Sequence, residues 1–350
     1  MDRAGHREPI ACPCAHVGEI SFRKAMAPSV TPSKRIALRH RLEHMAVLVV
    51  RALLRVLPRA ATLRVGATLG QAFYLLHSPR RTLALANLRS AFPSKSDREC
   101  RVILRSTFAH FGRHIVEFLN FDDMSVDRMR SLIEVEGEEH VTEAMGRGHG
   151  VMFCSGHYGY WELQIMVHAI WFEPLVVVAR TLDNPLLDRL IGRIRARLGT
   201  EAIPRHGAVR GLLKALRENH STAIMIDQHM HGRRAVVVDF FGRPAATTSA
   251  AAALALKTGA ALIPVFALPL PGGRYRMIYE APIQAPSADD PDPVRTYTQR
   301  CTDALERHVR HSPELWLWMH RRWRPLDATA SATDTATARR DLVDPTDVSG

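Results

Sequence analysis

The chain lacks several features that would assign it to a simple class of protein. Its 350 residues contain no run of eighteen apolar residues, which argues against a clean membrane-spanning helix. The five cysteines do not form a disulfide framework, which a chain of this length does not need. Residues 1–37 contain no uninterrupted apolar segment, so we do not expect a secretory signal there. No internal repeat is found, which argues against a solenoid.

Acidic residues are also in short supply. The chain has 35 Asp and Glu residues against 47 Lys and Arg residues, which gives a formal charge of +12. Residues 327–350 carry five Asp and two Arg, so this tail is acidic and the rest of the chain is more basic still. The excess of positive charge indicates an anionic partner, either nucleic acid or an anionic membrane and its lipids.

The composition, with 46% hydrophobic and 23% charged residues, is that of a globular protein. We expect four segments along the chain. Residues 1–37 are predicted to be a poorly ordered basic arm, and residues 38–125 a helical, membrane-associating portion. Residues 126–326 are predicted to form an α/β domain continuous with that portion. Residues 327–350 are rich in Ala, Thr and Asp, which predicts a disordered tail.

The N-terminal helical portion carries a basic stripe. Four arginines, Arg51, Arg55, Arg59 and Arg64, interrupt an otherwise apolar series at helical spacing, and Pro58 should divide the helix in two. Such a segment suits the headgroup region of an anionic membrane, with arginines reaching the phosphates. An ordinary core-facing helix with a solvated edge is the alternative. Further on, Ser96 and Glu99 predict a capping box at the start of another helix.

From about residue 132, apolar strands alternate with helices. The predicted strands are LIEVEG, GVMFCSG, PLVVVAR, STAIMID, AVVVDFFG, ALIPVFALPL and RYRMIYEAPI. The predicted helices between them are EEHVTEAMGRG, YWELQIMVHAIWF, PLLDRLIGRIRARLG, AVRGLLKALREN and ATTSAAAALALKTGA. This alternation predicts an α/β fold with a largely parallel central sheet flanked by helices.

The sequence SGHYGYWE, residues 155–162, follows a buried strand and opens a helix. It therefore lies at the carboxyl edge of the sheet, where α/β proteins place their ligands. His157 could act there as a general base, with the carboxylate of Glu162 fixing its tautomer. A regular helix would not bring the two residues to one face, so His157 must lie in the turn before the helix. A loop histidine beside a solvated glutamate is an equal alternative from these residues alone.

The H-x4-E box formed by His157 and Glu162 resembles that of the bacterial lipid A biosynthesis (lauroyl/myristoyl) acyltransferases, within the lysophospholipid and glycerophosphate acyltransferase superfamily. Matching segments run in order from about residue 38 to 326. They include ANLRSAFP, ARTLDNPLLDRLIGRIR, IPRHGAVRGLLKALREN, IMIDQH, FFGRPAATTSAAAALALKTGAALIPVF and PELWLWMHRRWRP. One departure is Tyr160, which stands where that family usually has Asn, so acceptor or acyl-chain specificity could differ.

The resemblance implies a mechanism in which His157 takes a proton from an acceptor hydroxyl that attacks an acyl thioester, while Glu162 orients and charges the histidine. No enzyme nucleophile is needed, so Ser155 and Cys154 are expected to be structural. Backbone N–H groups after His157 are expected to stabilise the oxyanion.

Four further residues are predicted to bind substrate. Arg180 ends a strand at the same sheet edge and is expected to hold a phosphate, and Arg195 lies on the following helix near the pocket. Asp227 and Gln228 end another strand, where relatives keep an acidic site residue. A surface arginine and a strand-end cap are the alternatives for Arg180 and Asp227.

His229 and His231 suggest a metal site with Asp227, but the resembled chemistry uses no metal, and we predict none. Trp316, Trp318 and Trp323 alternate with basic residues, a pattern that suits nucleic acid, a membrane interface or a core. The resemblance favours a lid over the lipid substrate.

We therefore expect an O-acyltransferase without a cofactor that acts on a lipid A precursor or similar anionic glycolipid, with acyl carrier protein or acyl-CoA as donor. It should act at the cytoplasmic face of a bacterial inner membrane, since carrier thioesters are cytosolic, and it should not bind nucleic acid. A lysophospholipid, phosphatidylinositol mannoside or other glycolipid acyltransferase is the nearer alternative. A basic nucleic-acid-binding protein is the remote one, supported by charge alone.

Overall fold

The computed structural model describes residues 34–326, apart from residues 122, 206 and 233. By its internal contacts the chain divides into two units, residues 1–39 and 40–350. Most of the predicted N-terminal arm and the whole predicted acidic tail lie outside the described residues.

Helices occupy the N-terminal part of the described chain. They are α1 (Lys34–Val56), α2 (Arg59–Leu76), α3 (Ser78–Ala91), α4 (Asp97–Phe121) and the short α5 (Val126–Ser131). Pro58 separates α1 from α2, as predicted, because proline cannot donate the hydrogen bond that a helix interior needs. The capping box at α4 is also confirmed: the amide of Glu99 lies 3.3 Å from Oγ of Ser96, and the Glu99 carboxylate accepts from the Ser96 amide at 2.7 Å.

Helices α2 and α4 pack at close range through glycines. Gly66 and Gly70 of α2 face Gly112 of α4, and all three are buried. A Cβ added at Gly112 would overlap the carbonyl oxygen of Gly66. Glycine at these positions therefore allows the two backbones to approach more closely than any side chain would permit.

The described residues contain nine strands, seven of which form the central sheet. The strands are β1 (Ile133–Glu136), β2 (Val151–Ser155), β3 (Val176–Ala179), β4 (Glu201–Pro204), β5 (Ser221–Met225), β6 (Ala235–Asp239), β7 (Pro244–Thr248), β8 (Ala261–Leu270) and β9 (Arg274–Tyr279). The sheet order is β1-β9-β8-β2-β5-β3-β4, and every pairing is parallel except that of β8 with β9. The predicted mixed α/β fold with a mostly parallel sheet is confirmed.

Six α-helices lie between or after these strands. They are α6 (Glu138–Gly146), α7 (Trp161–Trp171), α8 (Pro185–Ala196), α9 (Ala208–Arg217), α10 (Ala250–Thr258) and α11 (Pro293–His311). Alternate residues of β2 enter two different cores: Met152 packs in one, and Val151 and Phe153 pack in the other. Because strand side chains alternate between faces, both faces of the sheet are covered.

The structure differs from the predicted elements at β4, β6, β7 and α11. The predicted strand AVVVD is β6, but it pairs with β7 in a separate antiparallel ribbon and does not join the central sheet. Residues 246–248, predicted as the beginning of a helix, belong to β7 instead. The Pro-Ala-Ala-Thr-Thr sequence of β7 has little strand signal of its own, and pairing with β6 decides the conformation. The strand β4 and the helix α11 were not predicted.

The basic stripe of the N-terminal helices also differs from its predicted role. Arg51 and Arg55 bind the carboxylate of Asp123 at 3.0 and 2.6 Å. Arg59 binds Glu117 of α4 at 2.6 Å. These three arginines thus contact carboxylates of the protein, although the side chain of Arg55 stays half exposed.

Leucine, methionine and valine side chains occupy the opposite, outward face of α1. They recur at spacings of three and four residues, and each is more than half exposed: Leu42, Met45, Val49, Leu53 and Val56. A helix normally buries such a stripe. Among the described residues, no helix contains a segment that is both long and apolar enough to cross a membrane.

Candidate active site

His157 and Asp227 are brought together by the parallel pairing of β2 and β5. In the register of the two strands, Ser155 lies opposite Met225. His157 and Asp227 each lie two residues beyond these partners, so both leave the carboxyl edge of the sheet at the same level. Ligands in α/β proteins bind at this edge.

The turn that carries His157 is held on three sides. The amide of Gly159 donates to the carbonyl of Leu315 at 2.9 Å, and that of Tyr160 donates to Ala267 at 2.7 Å. Nε2 of the buried His110 lies 3.0 Å from the carbonyl oxygen of Gly159, so this nitrogen carries the proton. Gly159 has φ +61°, and a Cβ there would overlap the carbonyl oxygen of Ala267. The glycine in the box is therefore required by this path.

The imidazole of His157 is oriented by Asp227. Nδ1 of His157 lies 2.7 Å from Oδ1 of Asp227, and the His157 amide donates to Oδ2 at 2.7 Å. Nε1 of Trp316 donates to the same Oδ2 at 2.9 Å. His320 lies 2.9 Å, through Nε2, from the carbonyl oxygen of Asp227. A buried carboxylate with three donors stays ionised, and it fixes the tautomer of the ring that it faces.

The charges of this pair support that assignment. Burial is the largest single influence on the pKa of His157 and lowers it, but the charge and hydrogen bond of Asp227 and the charge of Glu162 together leave the pKa above its ordinary value. Burial raises the pKa of Asp227, and the charge and hydrogen bonds of His157 outweigh it, so that pKa lies below its usual range. Nδ1 of His157 is thus the protonated nitrogen, and Nε2 of the neutral ring carries the lone pair of a base.

Glu162 does not make the predicted contact with His157. It lies in the first turn of α7 and accepts two hydrogen bonds from Arg195 of α8, at 2.9 Å from Nε and 2.5 Å from Nη2. No hydrogen bond joins Glu162 to His157 among the described residues. The reason is geometric: the carboxylate that faces Nδ1 comes from the neighbouring strand, and Glu162 reaches the ring only through its charge. The catalytic role of Glu162 stays a prediction.

The backbone donors expected after His157 are partly occupied. The amides of Tyr158, Gly159 and Tyr160 already donate to carbonyl groups of the protein. In the described part of the chain, the amides of Trp161 and Glu162 at the start of α7 make no such bond. These two N–H groups at a helix N-terminus are the donors that an oxyanion could use.

The remaining predicted residues lie at different distances from the pair. Nε2 of Gln228 is 3.4 Å from Nε2 of His157. Arg180 is exposed and pairs with Asp183 at 3.6 Å, so its phosphate-binding role stays a prediction. Ser155 is buried and donates through Oγ to the carbonyl of Val265 at 2.7 Å, which agrees with a structural role.

The tryptophans differ from the predicted lid. Trp316 and Trp318 are fully buried in the core, and their rings meet edge to face at 4.6 Å. Trp316 instead supports the site through its bond to Asp227. Sequence reasoning missed Trp316 and His320 as site residues, because the C-terminal segment reaches the sheet edge only through the tertiary fold.

No group of three or more metal-binding side chains that could hold an ion occurs in the described ranges. The carboxylate of Asp227, which a site with His229 and His231 would need as a ligand, accepts hydrogen bonds from His157 and Trp316.

Comparison with known proteins gives consistent matches. The sequence model of a family described as bacterial lipid A biosynthesis acyltransferase matches residues 32–325. The lipid A biosynthesis lauroyltransferase of Escherichia coli is 27% identical over 77% of this chain and 87% of its own length. A lipid A biosynthesis acyltransferase of Haemophilus influenzae is 28% identical over 79% and 89%. A phosphatidylinositol mannoside acyltransferase of Mycolicibacterium smegmatis is 26% identical over 63% and 72%.

Proposed function

The chain belongs to the bacterial lipid A biosynthesis acyltransferase family, which confirms the predicted O-acyltransferase, and we propose that it moves a fatty acyl chain from a thioester to a hydroxyl of a lipid A precursor. The donor is acyl carrier protein or acyl-CoA, and no cofactor takes part. The observation that carries the proposal is His157 at the sheet edge, with Nδ1 bonded to the buried Asp227 and Nε2 left as the base.

The proposed reaction needs only one proton carrier. Nε2 of His157 takes the proton of the acceptor hydroxyl as its oxygen attacks the thioester carbonyl carbon. The tetrahedral intermediate then collapses, the carbon–sulfur bond breaks, and the leaving thiolate takes the proton back from Nε2. The products are the acyl ester and the free thiol of the carrier.

Two carboxylates stabilise the imidazolium that forms in this step. Asp227 does so through its hydrogen bond to Nδ1, as the third residue of a serine-protease triad does. Glu162, held by Arg195, contributes a second negative charge, and it is among the groups that raise the pKa of His157. The oxyanion would take the amides of Trp161 and Glu162.

The outward face of α1 supports work at a membrane surface. Its stripe contains Leu42, which is 63% exposed, and Leu53, which is 58% exposed. We propose that this stripe inserts among lipids at the cytoplasmic face of the inner membrane, where carrier thioesters are made. A helix that lies in the interface needs such an apolar face and no span.

Vesicle binding tests the membrane proposal. Replacing both Leu42 and Leu53 with serine should weaken binding to phosphatidylglycerol vesicles by tenfold or more, because each buried leucine contributes about 1.5–3 kcal/mol. Val102→Ser, at an equally exposed valine of α4, should leave binding unchanged. Equal binding of the double variant and the parent would contradict a lipid-inserted α1. Binding that is no stronger to anionic than to neutral vesicles at low salt would contradict a contribution of charge.

The acceptor has one specific alternative. The phosphatidylinositol mannoside acyltransferases match a smaller part of the chain, and Tyr160 replaces the asparagine usual in lipid A enzymes. A phosphatidylinositol mannoside or another glycolipid is therefore the second candidate acceptor.

His157→Ala tests the chemistry. We expect acyl transfer from a purified acyl-carrier-protein donor to fall by at least about 10²–10⁴-fold, the usual contribution of a general base. The thermal unfolding midpoint should stay close to that of the parent. His311→Ala, at an exposed histidine at the end of α11, is the matched control. Full turnover by the His157 variant would refute the proposed base.

Mass spectrometry of membrane lipids tests the acceptor. A strain without the gene should accumulate lipid A that lacks one acyl chain, and the wild-type gene, but not the His157→Ala gene, should restore it. An unaltered lipid A together with a changed mannoside or phospholipid would move the assignment to that class.

A further inference from the structure

Two segments of the described chain run side by side beyond the catalytic pair. One is the segment that follows β5, and the other is the C-terminal segment that follows α11. They are joined at Asp227, whose carbonyl oxygen lies 2.9 Å from Nε2 of His320, and again at His231, whose Nε2 lies 3.3 Å from Nη1 of Arg324. The two segments thus extend the edge of the active site away from His157.

These segments gather basic side chains, which we call the basic cluster: His229, His231, Arg322 and Arg324. The rings of His229 and His231 lie 4.4 Å apart between centroids. Arg322 is buried, His229 is half-buried, and His231 and Arg324 are exposed. The cluster therefore combines exposed basic groups with a buried guanidinium.

Arg322 is buried, and no carboxylate of the described residues forms a salt bridge with it. Its Nη1 donates to the carbonyl of Ala246 at 2.7 Å, and its Nε has no hydrogen-bond partner. Burial lowers its pKa to about 10, against the charge of Asp227. Both oxygens of that carboxylate already accept hydrogen bonds from other residues. A buried cation without a close counter-charge is costly to fold, and a bound anion would offset that cost.

The ring of His229 also lacks hydrogen-bond partners. Neither ring nitrogen has a hydrogen-bond partner of good geometry, although the backbone of Arg322 lies nearby. Burial lowers the pKa of His229, and His231, Arg322 and Arg324 lower it further. The charged side chains of the described residues that act on this ring are cationic.

We propose that the basic cluster binds a phosphate group of a substrate. Arginine forks and imidazole N–H groups suit phosphate, which accepts hydrogen bonds from several directions at once. The substrate assignment rests on the proposed function, because both substrates of such a reaction can carry phosphate. A carrier thioester has the phosphodiester of its pantetheine arm, and an anionic glycolipid has a phosphate on its sugar.

The position of the cluster suits either source. His231 follows Asp227 by four residues, and four residues of fully extended chain span at most about 14 Å. A phosphate at the cluster is therefore within reach of a molecule whose thioester or hydroxyl lies at Nε2 of His157. The cluster would position that molecule and would not take part in the proton transfer.

Direct binding tests the site without turnover. Titration calorimetry of the whole protein with inorganic pyrophosphate should give binding that weakens about tenfold or more in a variant carrying His231→Ala and Arg324→Ala, since hydrogen bonds between charged groups are lost. Both residues are exposed, so the fold should be retained. Arg217→Ala, at an exposed arginine of α9, is the control for loss of charge. Unchanged pyrophosphate binding in the double variant would overturn the proposal.

Kinetics then identifies the source of the phosphate. The parent should have a lower KM for acyl-phosphopantetheine than for acyl-pantetheine, or a lower KM for a phosphorylated acceptor than for a dephosphorylated one. The double variant should lose one of these two preferences, and the one that it loses names the substrate. Loss of pyrophosphate binding with both preferences intact would refute a substrate phosphate. If the protein showed no acyl transfer at all, the proposed function would fail. The calorimetry would still test whether the basic cluster binds an anion.

Discussion

Asp227→Asn is the sharpest test of how His157 is held. The substitution preserves the size of the side chain but removes the charge that outweighs burial at the ring. The amide can still accept hydrogen bonds from the His157 amide and Trp316 through its oxygen. Its NH2 group would then face Nδ1, which must become an acceptor, and the ring proton moves to Nε2. The nitrogen that should accept the substrate proton is thereby blocked.

The expected loss follows from that change of tautomer. A general base contributes about 10²–10⁴-fold, so kcat should fall by this factor, which corresponds to about 3–5 kcal/mol in the activation free energy. KM should change little, because Asp227 is fully buried behind the histidine. Without the carboxylate, the pKa of His157 falls, so the acid limb of the residual activity should move toward lower pH.

The assay is steady-state acyl transfer measured between pH 5 and 9, with thermal melting to confirm folding. Asp239→Asn, at the exposed last residue of β6, makes the same chemical change away from the site. A kcat within threefold of the parent together with an unmoved acid limb would refute the reasoning. In that event the orienting carboxylate would have to be the H-x4-E glutamate after all.

Three further predictions concern the same described residues. The kcat of the unaltered enzyme should fall on acidification with a midpoint above the ordinary histidine value of about 6.5, since the base must be neutral and the pKa of His157 is raised. A midpoint below that value would contradict the stabilisation of the imidazolium by Asp227. Arg59→Ala should lower the free energy of unfolding in urea by about 3–5 kcal/mol, because it leaves the buried carboxylate of Glu117 without its partner. Arg64→Ala, at an exposed arginine of the same helix, should change it by less than about 0.5 kcal/mol. Gly112→Ala should be strongly destabilising because its Cβ would overlap the backbone of Gly66. Gly146→Ala places its Cβ in open space and should be neutral or stabilising by up to about 1 kcal/mol. Equal melting temperatures of the two variants would refute the close contact between α2 and α4.

Much of the fold follows from local pattern. Alternating apolar strands and amphipathic helices predicted the central parallel sheet, because such strands are apolar on both faces and need helices on each side. The same reasoning failed at β7, whose Ala-rich sequence resembles the helix that follows it. It left the surroundings of the arginines of α1 and α2 open, since spacing shows which residues share a helix face but not whether that face meets water or Asp123 and Glu117.

The candidate site divides in the same way. The sequence by itself determined that His157 leaves a buried strand at the carboxyl edge of a sheet, and that Asp227 ends another such strand. It could not determine that the two strands are neighbours, because their residues are 70 positions apart and the order β2-β5 is set by packing. The local H-x4-E spacing therefore pointed to Glu162 as the partner of the histidine. The tertiary structure gives that contact to Asp227, since adjacent parallel strands in register bring their ends closer than five residues entering a helix can.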